Sequence, residues 1–146
     1  MNSFDPGYYS GIDLQGFGFR HISPTAMIGR NVIISGVENI SIGEGSRIDD
    51  FTIIASSGGE VNIGRNVHLA GHSLISGGGG VVISDFSGLS HGVKIYSSSD
   101  DYSGDFLTNP TVPIELRNPK VQEIHISKHC IIGANTVVLP GVKLGE

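Results

Sequence analysis

The sequence predicts an all-β protein: a parallel β-helix wound as a triangular solenoid, interrupted by one long excursion loop. Three observations predict it. Aliphatic residues recur every six positions. The phase slips by two or three residues after every third hexad. Ile and Val together number 31, against 14 for Leu, Met and Ala. β-Branched side chains lose rotamer freedom in helices and pack well on pleated strands. Period six fits neither a helix nor an unbroken alternating strand. It fits a short strand followed by a corner, repeated.

The elements follow in chain order. Residues 1–21 lack the repeat; Phe4, Tyr8, Tyr9, Phe17 and Phe19 are apolar enough to cap the first coil, as solenoid ends require. The repeat occupies 22–146. Ile22, Ile28 and Ile34 mark a first coil, Ile42, Ile48 and Ile54 a second, Ile63, Leu69 and Ile75 a third, and Ile83, Leu89 and Ile95 a fourth. Three hexads therefore make one turn of 20 or 21 residues, the extra residues bulging at one corner. After Ile95 the rhythm stops. Residues 96–123 carry three prolines, several acids and the aromatics Tyr96, Tyr102 and Phe106, as an excursion loop. Ile126, Ile132 and Val138 resume a fifth coil, and Leu144–Glu146 opens a new hexad, so the sequence is expected to end in mid-repeat. Several of the 22 glycines sit at hexad second positions or in corner bulges such as Gly58–Gly59 and Gly77–Gly80, where glycine tolerates the positive φ such corners use.

Bulk properties exclude several classes. The net charge is −5 and no Lys/Arg cluster occurs, which argues against nucleic acid or anionic lipid as partner. Cys130 is the single cysteine, so no internal disulfide forms and a reducing compartment fits. The N-terminus shows no basic segment followed by an apolar one, and no run approaches a membrane span. A cytoplasmic location is expected.

The hexads, with IGANTVVLPGVKLG over 132–145 and IYSSSDDYSGDFLTNPTVP from Ile95, resemble the hexapeptide-repeat acyltransferase family. The resemblance spans residues 22–146. The C-terminal stretch is similar to galactoside and maltose acetyltransferases, and the loop stretch to bacterial polysaccharide and O-antigen acetyltransferases. It implies a left-handed parallel β-helix, acetyl-CoA as co-substrate, no required metal, and a homotrimer with sites at subunit interfaces. The implied activity is O-acetylation of a sugar or glycan in surface polysaccharide biosynthesis.

The site residues follow from that resemblance. Galactoside-type members carry a histidine where this chain has Asp100, and often a tryptophan where it has Ile131. Asp100, His91 and His72 are the catalytic candidates, with Asp101 beside Asp100 as a carboxylate that would make it more basic. Tyr96, Asp101 and Tyr102 are expected to contact the acceptor. Gly133 and Ala134 would offer backbone to pantetheine, with Pro140 shaping the groove wall. Three alternatives stand beside this reading. An amino-sugar nucleotide could be N-acetylated without a protein base. The chain could be a truncated, non-catalytic β-helix. A carbonic-anhydrase-like hydratase could use zinc through His68–His72 and His125–His129.

Overall fold

The computed structural model describes residues 4–145. Its strands form three parallel sheets, each one wall of a triangular solenoid. The first face stacks His21–Ile22, Ile40–Ile42, Val61–Ile63, Val81–Ile83, Ile124–Ile126 and Lys143–Leu144. The second stacks Met27–Gly29, Arg47–Ile48, His68–Leu69, Gly88–Leu89 and Ile131–Ile132. The third stacks Ile33–Ser35, Ile53–Ala55, Leu74–Ser76, Lys94–Tyr96 and Val137–Val138. That is five three-walled coils and the opening strand of a sixth; Glu146 lies outside the described residues.

The predicted aliphatics point inward and stack in register. Ile54, Ile75 and Ile95 pair along the third face, and Ile48 and Leu69 along the second. All five are fully buried or nearly so. The fifth hexad position also faces inward. Val67 and Val93 fill space there, whereas Ser46, Thr52, Ser73 and Ser87 are buried polar groups that need partners. Each donates to a carbonyl: Ser46 to Gly64, Thr52 and Ser73 to Ala70, and Ser87 to Ser127.

Two details differ from the sequence expectation. The N-terminal segment carries regular structure that the hexads do not mark: Tyr8–Ser10 adds an antiparallel strand to the second face, pairing Tyr9 with Ile28. Glycine also does less of the corner work than its abundance implies. Two corner columns place Phe51, His72 and Asn135, and Asn66, Phe86 and His129, at positive φ. Phe51 stacks on His72 and Phe86 on His129, so ring contacts between successive coils offset left-handed backbone strain. Glycine is required where coils approach most closely. Gly36 has φ +74°, and a Cβ there would lie 1.8 Å from the Ser56 carbonyl oxygen.

Candidate active site

The excursion loop leaves the third face after Tyr96 through a closed neck. Ser97 is buried; its hydroxyl donates to the Ser76 carbonyl at 2.7 Å and accepts from the Gly79 N–H at 2.8 Å. Ser98–Ser99 then pairs antiparallel with the returning Lys120–Val121, and the Gln122 N–H donates to the Ser97 carbonyl. Above this ribbon the loop is organised by side chains. Asp100 Oδ2 accepts the Asn109 N–H at 2.9 Å. Asp101 accepts the Ser103 N–H and the Asn118 amide, each at 2.8 Å.

Between loop and solenoid lies a groove of about 770 Å³. Its solenoid wall is Ser76, Tyr96, Val137 and Leu139; its loop wall is Asp100, Tyr102 and Arg117. Arg117 comes from the far limb of the loop, and its Nη1 stands 4.0 Å from Asp100 Oδ1. Asp101, Tyr102, Asn118 and Lys120 line a continuation of the same depression. Pro140 is buried directly after Leu139, while Gly133 and Ala134 are exposed at the preceding corner of the same coil. Gly133 has open space where a side chain would stand, so its backbone is approachable.

The predicted residues thus divide into groups. Asp100, Tyr96 and Tyr102 share the groove, and Asp101 adjoins it. The Ser103 backbone N–H, the Ser103 hydroxyl and the Asn118 amide hold the Asp101 carboxyl below the ordinary value. His72 is an exposed corner residue against Phe51. His91 lines a shallower groove on the second face with His68, Ser90 and Ile131.

That second groove borders a charged network absent from the sequence reading. Asp49 accepts from the Tyr8 hydroxyl at 2.9 Å and lies 2.7 Å from His68 Nε2 and 2.9 Å from Arg47 Nε. Burial opposes ionisation of Asp49, but His68, Tyr8 and Arg47 outweigh it and hold the carboxyl below its usual range. Burial first, then the Asp49 hydrogen bond and charge, push the Tyr8 phenol up. Among the described residues no three His, Cys, Asp or Glu side chains gather in metal-ligating geometry. His68 faces Asp49 and Arg47, a row away from His72.

Arg117, Ser76 and Ser90 were missed by sequence reasoning. Ser90 occupies the hexad second position, one of many small residues there. Arg117 sits where no repeat constrains position.

Comparisons with known proteins follow the same lines. No family model matches the chain. A curated dTDP-4-amino-4,6-dideoxy-D-glucose acyltransferase from Escherichia coli is 40% identical over 139 residues, covering 95% of this chain and 72% of that one. Solved structures of AntD, an N-acyltransferase from Bacillus cereus, superpose closely. One, with dTDP-4-amino-4,6-dideoxyglucose and coenzyme A, gives a TM-score of 0.90 at 35% identity over 96% of this chain and 74% of that chain. Another, with dTDP and 3-hydroxybutyryl-CoA, gives 0.89 at 36% identity over 100% and 74%. The AntD variants solved in this series alter a serine and an aspartate ten positions further along.

Proposed function

The chain belongs to the hexapeptide-repeat acyltransferases, and from that premise we propose that it transfers an acyl group from a coenzyme A thioester to the amine of a dTDP-linked amino sugar. This replaces the O-acetylation expected from the loop sequence. The observation that carries it is Asp100, standing in the groove at the position where the resemblance to galactoside-type members leads one to expect histidine. A hydroxyl acceptor needs a strong base in the transition state. A free amine does not. A carboxylate is suited instead to binding an ammonium group and receiving its proton. Ser90 and Asp100 also reproduce the ten-residue serine–aspartate spacing altered in AntD.

In the reaction the acceptor arrives as ammonium and gives one proton to Asp100 or to water. The amine lone pair then forms a C–N bond to the thioester carbonyl carbon. The C–S bond breaks, and the departing thiolate takes the second nitrogen-bound proton. Amide and coenzyme A thiol are the products. Gly133 and Ala134 supply backbone groups to the pantetheine arm, beside the wall shaped by Pro140. Tyr96 and Tyr102 bound the sugar.

The assembly we propose is a homotrimer that buries the third face. Its outer row is Ile33, Ile53, Leu74, Lys94 and Val137, apolar except for the lysine, whereas the first face presents Ser41, Asn62, Val82 and His125. In this arrangement the Ser90 and His91 groove of one copy meets the Asp100 groove of the next. No helix among the described residues is long and apolar enough to cross a membrane. A cytoplasmic enzyme supplying acylated sugar nucleotides to glycan assembly, with acetyl-CoA among its donors, fits this substrate pair.

The test is direct. Purified protein is incubated with dTDP-4-amino-4,6-dideoxyglucose and either acetyl-CoA or 3-hydroxybutyryl-CoA; thiol release and product mass are followed. An amide product is expected, with kcat/KM reduced about 10²–10³-fold in Asp100→Asn. Efficient acylation of the 4-hydroxy analogue in place of the amine overturns the proposal, and so does an Asp100→Asn variant of undiminished activity.

A further inference from the structure

We propose that Arg117 is a positioning residue of the acylation site: its guanidinium stands beside Asp100 as a fixed positive charge that favours the neutral, nucleophilic form of the acceptor amine. The inference rests on the amine-acylation reading above.

The geometry of Asp100 is the first support. One carboxylate oxygen, Oδ2, is committed to the Asn109 N–H. The other, Oδ1, lies 4.0 Å from Arg117 Nη1, beyond hydrogen-bonding reach. Oδ1 therefore feels the arginine charge yet keeps its capacity to accept an N–H from a molecule in the groove. The second support is Arg117 itself. Its side chain is only 16% exposed, and its Nε is a buried donor with no acceptor. An arginine that served only to brace the loop would have its donors paired, because unpaired buried donors destabilise. Here the loop holds a cation against the groove wall without saturating it. Shielded from water, that charge acts at close range with weak screening.

The chemical consequence follows from charge balance. A carboxylate alone would stabilise the acceptor as an ammonium ion, which has no lone pair and cannot attack a thioester. A neighbouring guanidinium opposes the ammonium and so lowers the pH at which the free amine forms. Asp100 draws the amine in; Arg117 keeps it from being trapped as a salt. The other charged or titratable groups facing this position are Asp101, which is turned to Ser103 and Asn118, Lys120 at the groove's continuation, and the phenols Tyr96 and Tyr102.

The experiment measures kcat and KM for the dTDP-amino sugar from about pH 6 to pH 10 in the wild type, Arg117→Gln and Arg117→Lys. At pH 7 Arg117→Gln is expected to lose about tenfold in kcat with a smaller change in KM. Its kcat–pH midpoint should move up by about one unit, the same tenfold expressed as proton affinity. The loss should shrink in base. Arg117→Lys, which keeps the charge, should stay near the wild-type midpoint. A merely structural arginine would give a loss of equal size at every pH, and that result overturns the inference, as does an unchanged kcat in Arg117→Gln. Titration of dTDP by calorimetry reports whether the variants keep the loop folded. If the wild type transfers no acyl group to the amine at all, it is the amine-acylation reading that fails.

Discussion

At the residue scale, the two carboxylates with the clearest surroundings have opposite assignments. Asp100 has a spare acceptor oxygen in a groove; Asp49 has every oxygen committed to Tyr8, His68 and Arg47. Asp49 is therefore read as structural, a clasp between the cap strand and the second face. Its folded carboxyl is depressed below the unfolded value of about 3.9. A depressed carboxyl contributes stability that is present above the unfolded value and lost as pH falls through the folded one. Asp49→Asn should thus lower the melting temperature at pH 7, and the wild-type and variant curves should converge as pH falls below about 4. Thermal unfolding followed by circular dichroism between pH 7 and pH 3 checks this; parallel curves would refute the clasp. The sequence made Asp100 legible because it breaks the family's histidine pattern. It could not reveal Arg117, whose position depends on how an aperiodic loop folds back. Nor could it reveal that His72 occupies a corner against Phe51, since nothing in period six marks which polar residue turns the chain.

At the scale of elements, the hexads were fully readable because each inward position recurs once per coil and faces the same ladder. Ile75 lies in register between Ile54 and Ile95 with no exposed surface. Ile75→Ala should destabilise by about 2–5 kcal/mol, since neighbouring coils are hydrogen-bonded on both sides and cannot close the cavity. Urea denaturation measures it, and a loss below about 1 kcal/mol would show a ladder looser than drawn. At Gly36 both the positive φ and the Ser56 carbonyl exclude a side chain. Gly36→Ala should destabilise by more than the ~1 kcal/mol typical of an unobstructed glycine, by the same assay. The elements that escaped sequence reading are the cap strand and the loop's two-stranded neck. Neither repeats, and both exist only because a tertiary partner already stands beside them.

At the scale of the whole molecule, the three walls differ in outer surface, and the difference predicts association. The third wall exposes Ile33, Ile53 and Val137 at 61%, 38% and 52%. Lys94 interrupts this row between Leu74 and Val137, but a largely apolar stripe of this kind marks a protein contact. Light scattering of the wild type should give roughly three times the 15.3 kDa chain mass, and Ile53→Lys should give single chains that have lost acyl transfer. A wild type that stays monomeric while active would refute the assembly. The neck of the excursion loop carries a further consequence. The chain departs after Tyr96 and returns so that Ile124 pairs with Val81 and Ile126 with Ile83, as if the twenty-odd intervening residues were absent. Gln122 and Ile124 bond back to Ser97 and Gly80 at the base of the ribbon, while Asp100, Tyr102 and Arg117 line the groove from beyond it. A different insert carried on the same neck would therefore present different side chains to the groove, with no new cost to the rod that bears it.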